Sequence, residues 1–252
     1  VRRLNFYENK DSNLTPYHMQ VEDFILDELV DQLESTSHYR ERRQSIKAFN
    51  SSNQYLRRGL ALTPVKFGIS FTNTTFNQAG ALLHVYKDGS VLLNHGGTEM
   101  GQGLLIKVAQ VVAAELQIDI DQVQISSTHT GKVPNTSATA ASSGTDLNGM
   151  AAQNAARTIR RRLTAFAATH YDVAEHDIEF QRGQVRIADS WIAFSELVLE
   201  AYLHRVQLSA TGFYRTPKIW LDAETARGRP FYYFAYGAAV SEVVVDLLTG
   251  EN

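Results

Sequence analysis

Cysteine is absent from the 252-residue chain, which excludes disulfides, thiolate metal sites and cysteine-held iron–sulfur clusters from it. Net positive charge is also lacking: the formal net charge is −3, so the sequence gives no electrostatic case for binding nucleic acid. No apolar run reaches the roughly 18 residues that a membrane span needs, and the N-terminus has no hydrophobic signal-peptide region. We therefore predict a cytoplasmic protein with neither nucleic acid nor membrane as a partner.

The charges that are present are spread along the chain, with one dense basic run. Hydrophobic residues make up 44% and charged residues 20% of the sequence, which is typical of a globular protein. The basic run, "RTIRRRL" at residues 157–163, is predicted to be the solvated face of a helix.

Both ends of the sequence read as the interior of a longer polypeptide. The chain begins "VRRLNFYENKDSN" without an initiator Met, and its last residues read as a strand and a Thr249-Gly250 turn with no returning strand. We therefore expect an internal fragment. Residues 1–58 are polar and helix-prone and are predicted to be a helical connector, whereas residues 59–252 are predicted to form the main domain.

Beyond the connector, hydrophobic periodicity gives the element order β-β-α-β-α-β-β-α-β-β. This order predicts an α+β fold with mixed sheets and packed helices. The first strand is expected to break at Thr63-Pro64, and a hairpin is expected to turn at Lys87-Asp88-Gly89.

A glycine-rich stretch, "HGGTEMGQG" at residues 95–103, joins a predicted strand to a predicted helix. Glycine lets a ligand approach the main chain closely. If the helix begins near Gly103, the amides of residues 101–103 point off its N-terminus, where negative charge is favoured. The side chain of Gln102 adds donors and an acceptor suited to the edge of a heterocycle.

A second loop of small residues, "TAASSG" at residues 139–144, precedes another predicted helix, whose expected cap is Thr145 or Asp146. Two such helix starts can face a single phosphate-bearing cofactor. The alternative is that both loops are only tight, well-packed turns. Neither loop is a P-loop or a dinucleotide fingerprint, because the lysine and the glycine spacing that those motifs need are missing.

Other candidates for chemistry carry weaker signals. Glu99 inside the glycine loop is either a general base or an acceptor of backbone N–H groups that orients the loop, and we favour the second role. His84 is predicted to be a core or sheet-surface residue, since it belongs to no metal-ligand motif. Phe67 and Phe71 are predicted to lie in the core, and Phe71-Thr72 gains interest only if the glycine loop lies beside it.

Four stretches together resemble the molybdenum-cofactor-binding part of the xanthine dehydrogenase family: "KFGISFT", "NQAGALLHVYKDGSVLLNHGGTEMGQG", "VPNTSATAAS" with "DLNG", and "LSATGFYRTP". The likeness runs from about Leu60 to Asn252, and "GGTEMGQG" with "NTSxTAAS" is highly specific. The resemblance implies an α+β fold of the molybdenum-cofactor-binding type. Only the central part of that domain is expected in residues 59–252, so the fold is expected to be incomplete, with residues 1–58 as its connector.

The resemblance also implies a cofactor, molybdopterin carrying molybdenum, and a set of site residues. The residues that match the two cofactor loops are Met100, Gly101, Gln102, Thr139, Ala140, Ala141, Ser142 and Ser143. Ala141 corresponds to the alanine packed closest to the metal. Phe71 and Thr72 match the purine site, where the ring meets the substrate and the hydroxyl and amide bond a purine oxygen.

The sequence departs from the family at the catalytic groups. In the family the general base is a glutamate in a downstream "GEPP" motif, and an arginine in an "FRGFGGPQ" motif lies upstream; neither stretch occurs in this sequence. General-base assistance contributes about 10²–10⁴-fold to a rate. We therefore expect no catalytic residue in this chain and no activity from the chain alone.

Several partners follow from the resemblance. They are a purine substrate (xanthine or hypoxanthine), the remaining part of the same subunit, and a subunit or domain that carries FAD and 2Fe–2S clusters, within a higher oligomer. The clusters must lie elsewhere because this chain has no cysteine.

Two other functions stay open. An aldehyde-oxidase-type molybdenum hydroxylase is the rival within the enzymes, although "FGISFT" and "NTSxTAAS" favour the purine enzyme. The second is a non-catalytic module whose loops bind a phosphate-bearing small molecule or serve in assembly.

Overall fold

The computed structural model describes residues 2–7, 13–132 and 135–252. The first two residues of "VPNTSATAAS" and parts of the predicted connector (residues 1 and 8–12) therefore lie outside the described residues. The chain divides into two compact units, one of Val1–Ile69 with Trp220–Asn252 and one of Ser70–Ile219. The connector boundary at residue 58, which concerns the family's domain layout, stays a prediction.

The helices are α1 (Leu26–Thr36), α2 (Tyr39–Ser52), α3 (Leu104–Leu116), α4 (Gly144–Tyr171) and α5 (Phe194–Leu203). The strands are β1 (Leu56–Ile69), β2 (Gln78–Val85), β3 (Val91–His95), β4 (Val123–Ile125), β5 (Ile178–Gln181), β6 (Gln184–Ile187), β7 (Ser190–Ala193), β8 (Ser209–Arg215), β9 (Trp220–Asp222), β10 (Arg227–Arg229) and β11 (Tyr233–Asp246). Among the described residues, none of these helices has both the length and the apolar character that crossing a bilayer requires.

The first unit is built on a long antiparallel ribbon of β1 and β11, with α1 and α2 packed against it. The expected break at Thr63-Pro64 is wrong, since β1 runs without interruption and Pro64 pairs with Ala238. The ribbon has two strands, so alternate residues direct their backbone groups away from the partner, and a proline at such a position costs no ladder hydrogen bond.

The second unit is built on a four-stranded sheet in the order β4-β3-β2-β8, in which β3 and β4 are parallel and the other pairs are antiparallel. The predicted hairpin is confirmed: Val85 pairs with Val91, and the Tyr86 amide donates to the Ser90 carbonyl at 2.8 Å. Leu83 and Leu93 from this hairpin are fully buried. The core therefore lies between this sheet and the helices α3 and α4.

Helix α4 lies unusually close to the sheet, because the contact is made by small residues. Ala151 and Ala155 on α4 are fully buried. On the facing strand β8, a Cβ added to Gly212 would lie 1.9 Å from the Ala151 carbonyl oxygen and 2.7 Å from the Ala155 nitrogen. The backbone of α4 therefore sits directly on the backbone of β8.

The basic run on α4 is more than a solvated face. Arg157 and Arg160 form ion pairs with Glu115 of α3, and Arg162 donates to the Ser209 carbonyl of β8 at 2.7 Å. Because these contacts reach neighbouring elements, three of the arginines help to fix α4 in place, while Arg157 keeps the exposure that was predicted for this face.

A three-stranded sheet, β5-β6-β7, and the helix α5 complete this unit. The predicted β-β-α order in this part of the chain accounts for β5, β6 and α5, but not for β7. The α+β fold with mixed sheets and packed helices is confirmed.

Candidate functional site

The two loops singled out by the sequence line one cavity of about 460 Å³ in the second unit. Its lining residues are Met100, Gln102, Leu104, Lys107, Thr139, Ala140, Ala141, Ser142, Gly144 and Thr145. The loops also bond to each other directly, since the Thr98 amide donates to Thr139 Oγ1 at 2.9 Å. The two loops therefore converge in the structure, as the sequence predicts.

Glu99 organises the glycine loop. Its Oε1 accepts the amides of Gly101 and Gly103, each at 2.9 Å, and its Oε2 accepts the amide of Leu105 at 3.1 Å. The amides of Leu105 and Gly103 in particular hold the pKa of the Glu99 carboxyl below its usual value. Loop orientation, the favoured of its two predicted roles, is the one that this geometry supports.

This arrangement corrects the predicted use of the glycine amides. The amides of residues 101 and 103 were expected to point at a ligand, but a carboxylate within the loop already accepts them. Glu99 is the acceptor of these amides because it lies within four residues of them in the sequence and at the positive end of the α3 dipole.

Gln102 is also used within the loop. Its Oε1 accepts the Met100 amide at 2.6 Å and its Nε2 donates to the Thr98 carbonyl at 3.0 Å. Met100 is exposed beside it and lines the cavity, while Gly101, between them, has a φ of 93° that favours glycine. The carboxamide therefore fixes the loop's shape, and Gln102 also lines the cavity.

Two other glycines of the loop serve packing. A Cβ on Gly96 would lie 2.5 Å from Thr136 Cβ, and one on Gly97 would lie 2.5 Å from Leu104 Cδ2. Beneath them, buried His95 accepts the Gly97 amide at Nδ1, and burial lowers the pKa of its imidazole. For Gly96 and Gly97, the alternative prediction of a tight, well-packed turn is therefore right.

The second loop turns sharply into α4. Ala141 and Ser142 both have left-handed backbones, with φ of 53° and 54°. Buried Ser143 then donates from its amide and its hydroxyl to the Ala140 carbonyl, at 3.2 and 3.1 Å. The N-cap of α4 is Ser143, so the predicted cap at Thr145 or Asp146 is wrong. The sharp turn at 141–142 lets the helix start two or three residues earlier than predicted.

The predicted purine-site segment adjoins the second loop. The Ser70 amide donates to the Ala141 carbonyl at 3.5 Å, which brings the following Phe71-Thr72 beside it. Phe71 is half-buried and packs edge-on against Phe76 at 5.7 Å between ring centroids, and Thr72 is exposed. The prediction that Phe71 is a core residue is therefore wrong, because its side chain is only half-buried.

Asn77 holds this segment in place and was missed by sequence reasoning. Buried Asn77 accepts the Phe71 amide at 2.7 Å and donates to the Phe71 carbonyl at 2.9 Å. A paired contact of this kind fixes both backbone groups of Phe71. The signal in the sequence was slight: a lone asparagine between a polar turn and a strand.

Lys107 was also missed. It lines the cavity from the first turn of α3. Side chains on a helix lean toward its N-terminus, and the Lys107 stem follows this rule, with Cε 3.9 Å from where a Cβ on Gly103 would be. The sequence signal for Lys107 was Gly103, which lies four residues before it, about one helical turn away.

The donor set of the cavity decides what it can hold. Its lining combines hydroxyls, one carboxamide, one ammonium group and two alanine methyls. Among the described residues, no group of three or more His, Cys, Asp and Glu side chains is placed to hold a metal ion. Because the hydroxyls, the carboxamide and the ammonium group can all donate hydrogen bonds, the lining suits a ligand that carries negative charge.

Comparison with solved structures confirms the fold. Quinoline 2-oxidoreductase from Pseudomonas putida 86 superposes with a TM-score of 0.75 at 20% identity, over 94% of this chain and 30% of that chain. The aldehyde oxidoreductase from Desulfovibrio gigas gives a TM-score of 0.68 at 18% identity, over 96% of this chain and 24% of that chain.

Sequence comparison identifies the family. The chain is 45% identical over 252 residues to xanthine dehydrogenase/oxidase of Gallus gallus, and 41% identical over 255 residues to xanthine dehydrogenase of Dictyostelium discoideum. Both alignments cover all of this chain but 17% of the length of each relative. The model of the molybdopterin cofactor-binding domain matches residues 32–252. The family predicted from the motifs is confirmed, and the chain belongs to the molybdopterin cofactor-binding domain family.

Proposed function

We propose that the chain is part of a molybdenum hydroxylase that oxidises hypoxanthine and xanthine to urate. The observation that carries the proposal is the shared cavity: both cofactor loops line it, and the amide of Ser70, the residue before Phe71, donates to the carbonyl of its lining residue Ala141. The names of the relatives, xanthine dehydrogenase/oxidase, support the same reaction.

Within such an enzyme the chain's residues bind and orient. When bound, the molybdenum cofactor supplies the oxygen-transfer and redox chemistry. Met100 and Gln102 on one side, with residues 139–143 on the other, would hold the pterin. Ala141 would leave room for the metal, and Phe71 and Thr72 would contact the purine.

The chain is proposed to act only together with the rest of its protein. Since it contains no "GEPP" glutamate, a general base has to come from another part of the same subunit. FAD and 2Fe–2S clusters have to lie on other domains or subunits, because cysteine is absent. We further propose a higher oligomer in the cytoplasm.

An aldehyde-oxidase-type hydroxylase is the alternative, since the Desulfovibrio gigas neighbour named for that activity shares the fold. The purine enzyme is favoured by the identity of 41–46% to xanthine dehydrogenases along the whole chain. Relative kcat/KM for xanthine and for an aromatic aldehyde, measured on the full-length enzyme, separates the two. A full-length sequence without a "GEPP" glutamate would instead favour the non-catalytic module.

Replacing Phe71 with alanine tests the purine site. In the full-length enzyme we expect Phe71→Ala to raise KM for xanthine about tenfold, because an aromatic ring contact is worth about 0.5–1.5 kcal/mol and tenfold corresponds to about 1.4 kcal/mol. Steady-state kinetics measures the change, with Tyr86→Ala, an exposed aromatic of the same unit, as the control. An unchanged KM would exclude Phe71 as a substrate contact.

Replacing Gln102 with alanine tests the glycine loop. Gln102→Ala removes two hydrogen bonds within the loop, each worth about 1 kcal/mol, together with the contact to the heterocycle. We expect molybdenum content to fall about tenfold, measured by elemental analysis of the purified full-length protein. Gln110→Ala, on the exposed side of α3, is the control and should keep its molybdenum; equal content in both variants would contradict the prediction.

A further inference from the structure

The two helix starts at the cavity differ in charge. At α3, the Glu99 carboxylate already accepts the amides of Gly101, Gly103 and Leu105. A helix N-terminus attracts anions through its free amides and its dipole. A carboxylate at this position satisfies the amides, neutralises the dipole and repels a second anion.

Lys107 supplies positive charge on the neighbouring turn. It is the charged residue among those that line the cavity. Across the described residues, the ion pairs within 4.0 Å include none made by Lys107. Its ammonium group therefore has three donors and a full charge available to a ligand.

The wall next to Lys107 is suited to the same ligand. Ser142 and Thr145 contribute hydroxyls to the lining, and Thr139 keeps its O–H as a donor while its oxygen accepts the Thr98 amide. The 28-residue helix α4 begins there at Gly144, so the positive end of its dipole faces the cavity as well.

We infer that Lys107 is the anion-binding residue of this cavity, and that the phosphate of a phosphorylated heterocycle lies between Lys107 and the 139–145 wall rather than on the α3 amides that Glu99 already accepts. The inference rests on the proposed function, which gives the cavity a phosphorylated ligand. What the inference adds is the position of the phosphate within the cavity. Charge-assisted hydrogen bonds to phosphate are about twice as strong as neutral ones, so Lys107 determines how firmly the ligand is retained.

The experiment uses the full-length protein, purified with its cofactor, in three variants. Lys107→Met removes the charge at similar length, Lys107→Arg restores a charge, and Lys87→Met removes a charge from the exposed hairpin turn. Molybdenum and pterin that remain bound are measured during dialysis at low and high NaCl. We expect the retention half-time of Lys107→Met to fall about tenfold at low salt, with Lys107→Arg close to the wild type and Lys87→Met unchanged.

Salt gives the second readout. Release from the wild type should accelerate with NaCl, because an ion pair is screened, and release from Lys107→Met should respond less. A wild-type protein that retains cofactor with no dependence on salt would overturn the inference. So would a Lys107→Met variant that keeps its cofactor as well as the wild type, or a Lys107→Arg variant that loses it equally. A wild-type protein that never holds molybdenum would instead overturn the proposed function.

Discussion

We expect Ala141→Leu to reduce the molybdenum content of the full-length protein by about 10- to 100-fold. Ala141 lines the cavity between the two loops, so a longer side chain occupies the space that a ligand needs. Forcing extra carbons into a filled site costs about 1–3 kcal/mol, which corresponds to the expected loss. The left-handed backbone at this position, with φ of 53°, already carries a Cβ, so leucine adds little strain to the protein itself.

Elemental analysis of the purified variant measures this loss, and thermal unfolding shows whether the fold is kept. Ala165→Leu makes the same change on an exposed turn of α4 and should leave the molybdenum content unchanged. Normal content in Ala141→Leu would mean that the cofactor does not pass close to this residue.

The sequence was sufficient for elements whose periodicity is set locally. The 85–91 hairpin and the helices α3 and α4 follow from alternation, from turn residues and from helical spacing, and all three are present. Pro64 misled the prediction, because its effect depends on how many strands flank β1, and that is a property of the sheet. β7 was missed because α5 begins at the very next residue, Phe194, so no turn separates this short strand from the helix.

The candidate site was predictable in its location but not in its hydrogen bonds. Small residues before two helices indicated two loops that meet, and the loops do line one cavity. Which acceptor takes each amide depends on side-chain geometry, and Glu99 and Gln102 take several of them inside the loop. Lys107 and Asn77 were missed because a single lysine or asparagine has no motif, and tertiary packing alone gives each its role.

Gly212→Ala is expected to destabilise the protein by about 3–5 kcal/mol, within the range of severe packing changes. The new Cβ would lie 1.9 Å from the Ala151 carbonyl oxygen and 2.7 Å from the Ala155 nitrogen. Both obstacles are backbone atoms of α4, so neither can rotate aside as a side chain would. The helix must move off β8, and the buried alanines that face the strand lose their contacts.

Thermal unfolding of the variant should show a fall in Tm of about 10 °C, given roughly 2–4 °C per kcal/mol for a domain of this size. Gly237→Ala is the matched control, because a Cβ on Gly237, in strand β11 of the first unit, meets nothing within 4 Å, and its Tm should stay close to that of the parent. Since α4 begins at the second cofactor loop, its displacement should also lower molybdenum retention. A variant that keeps its Tm would show that α4 and β8 are further apart than this packing requires, and the position of the 139–144 loop would then need another support.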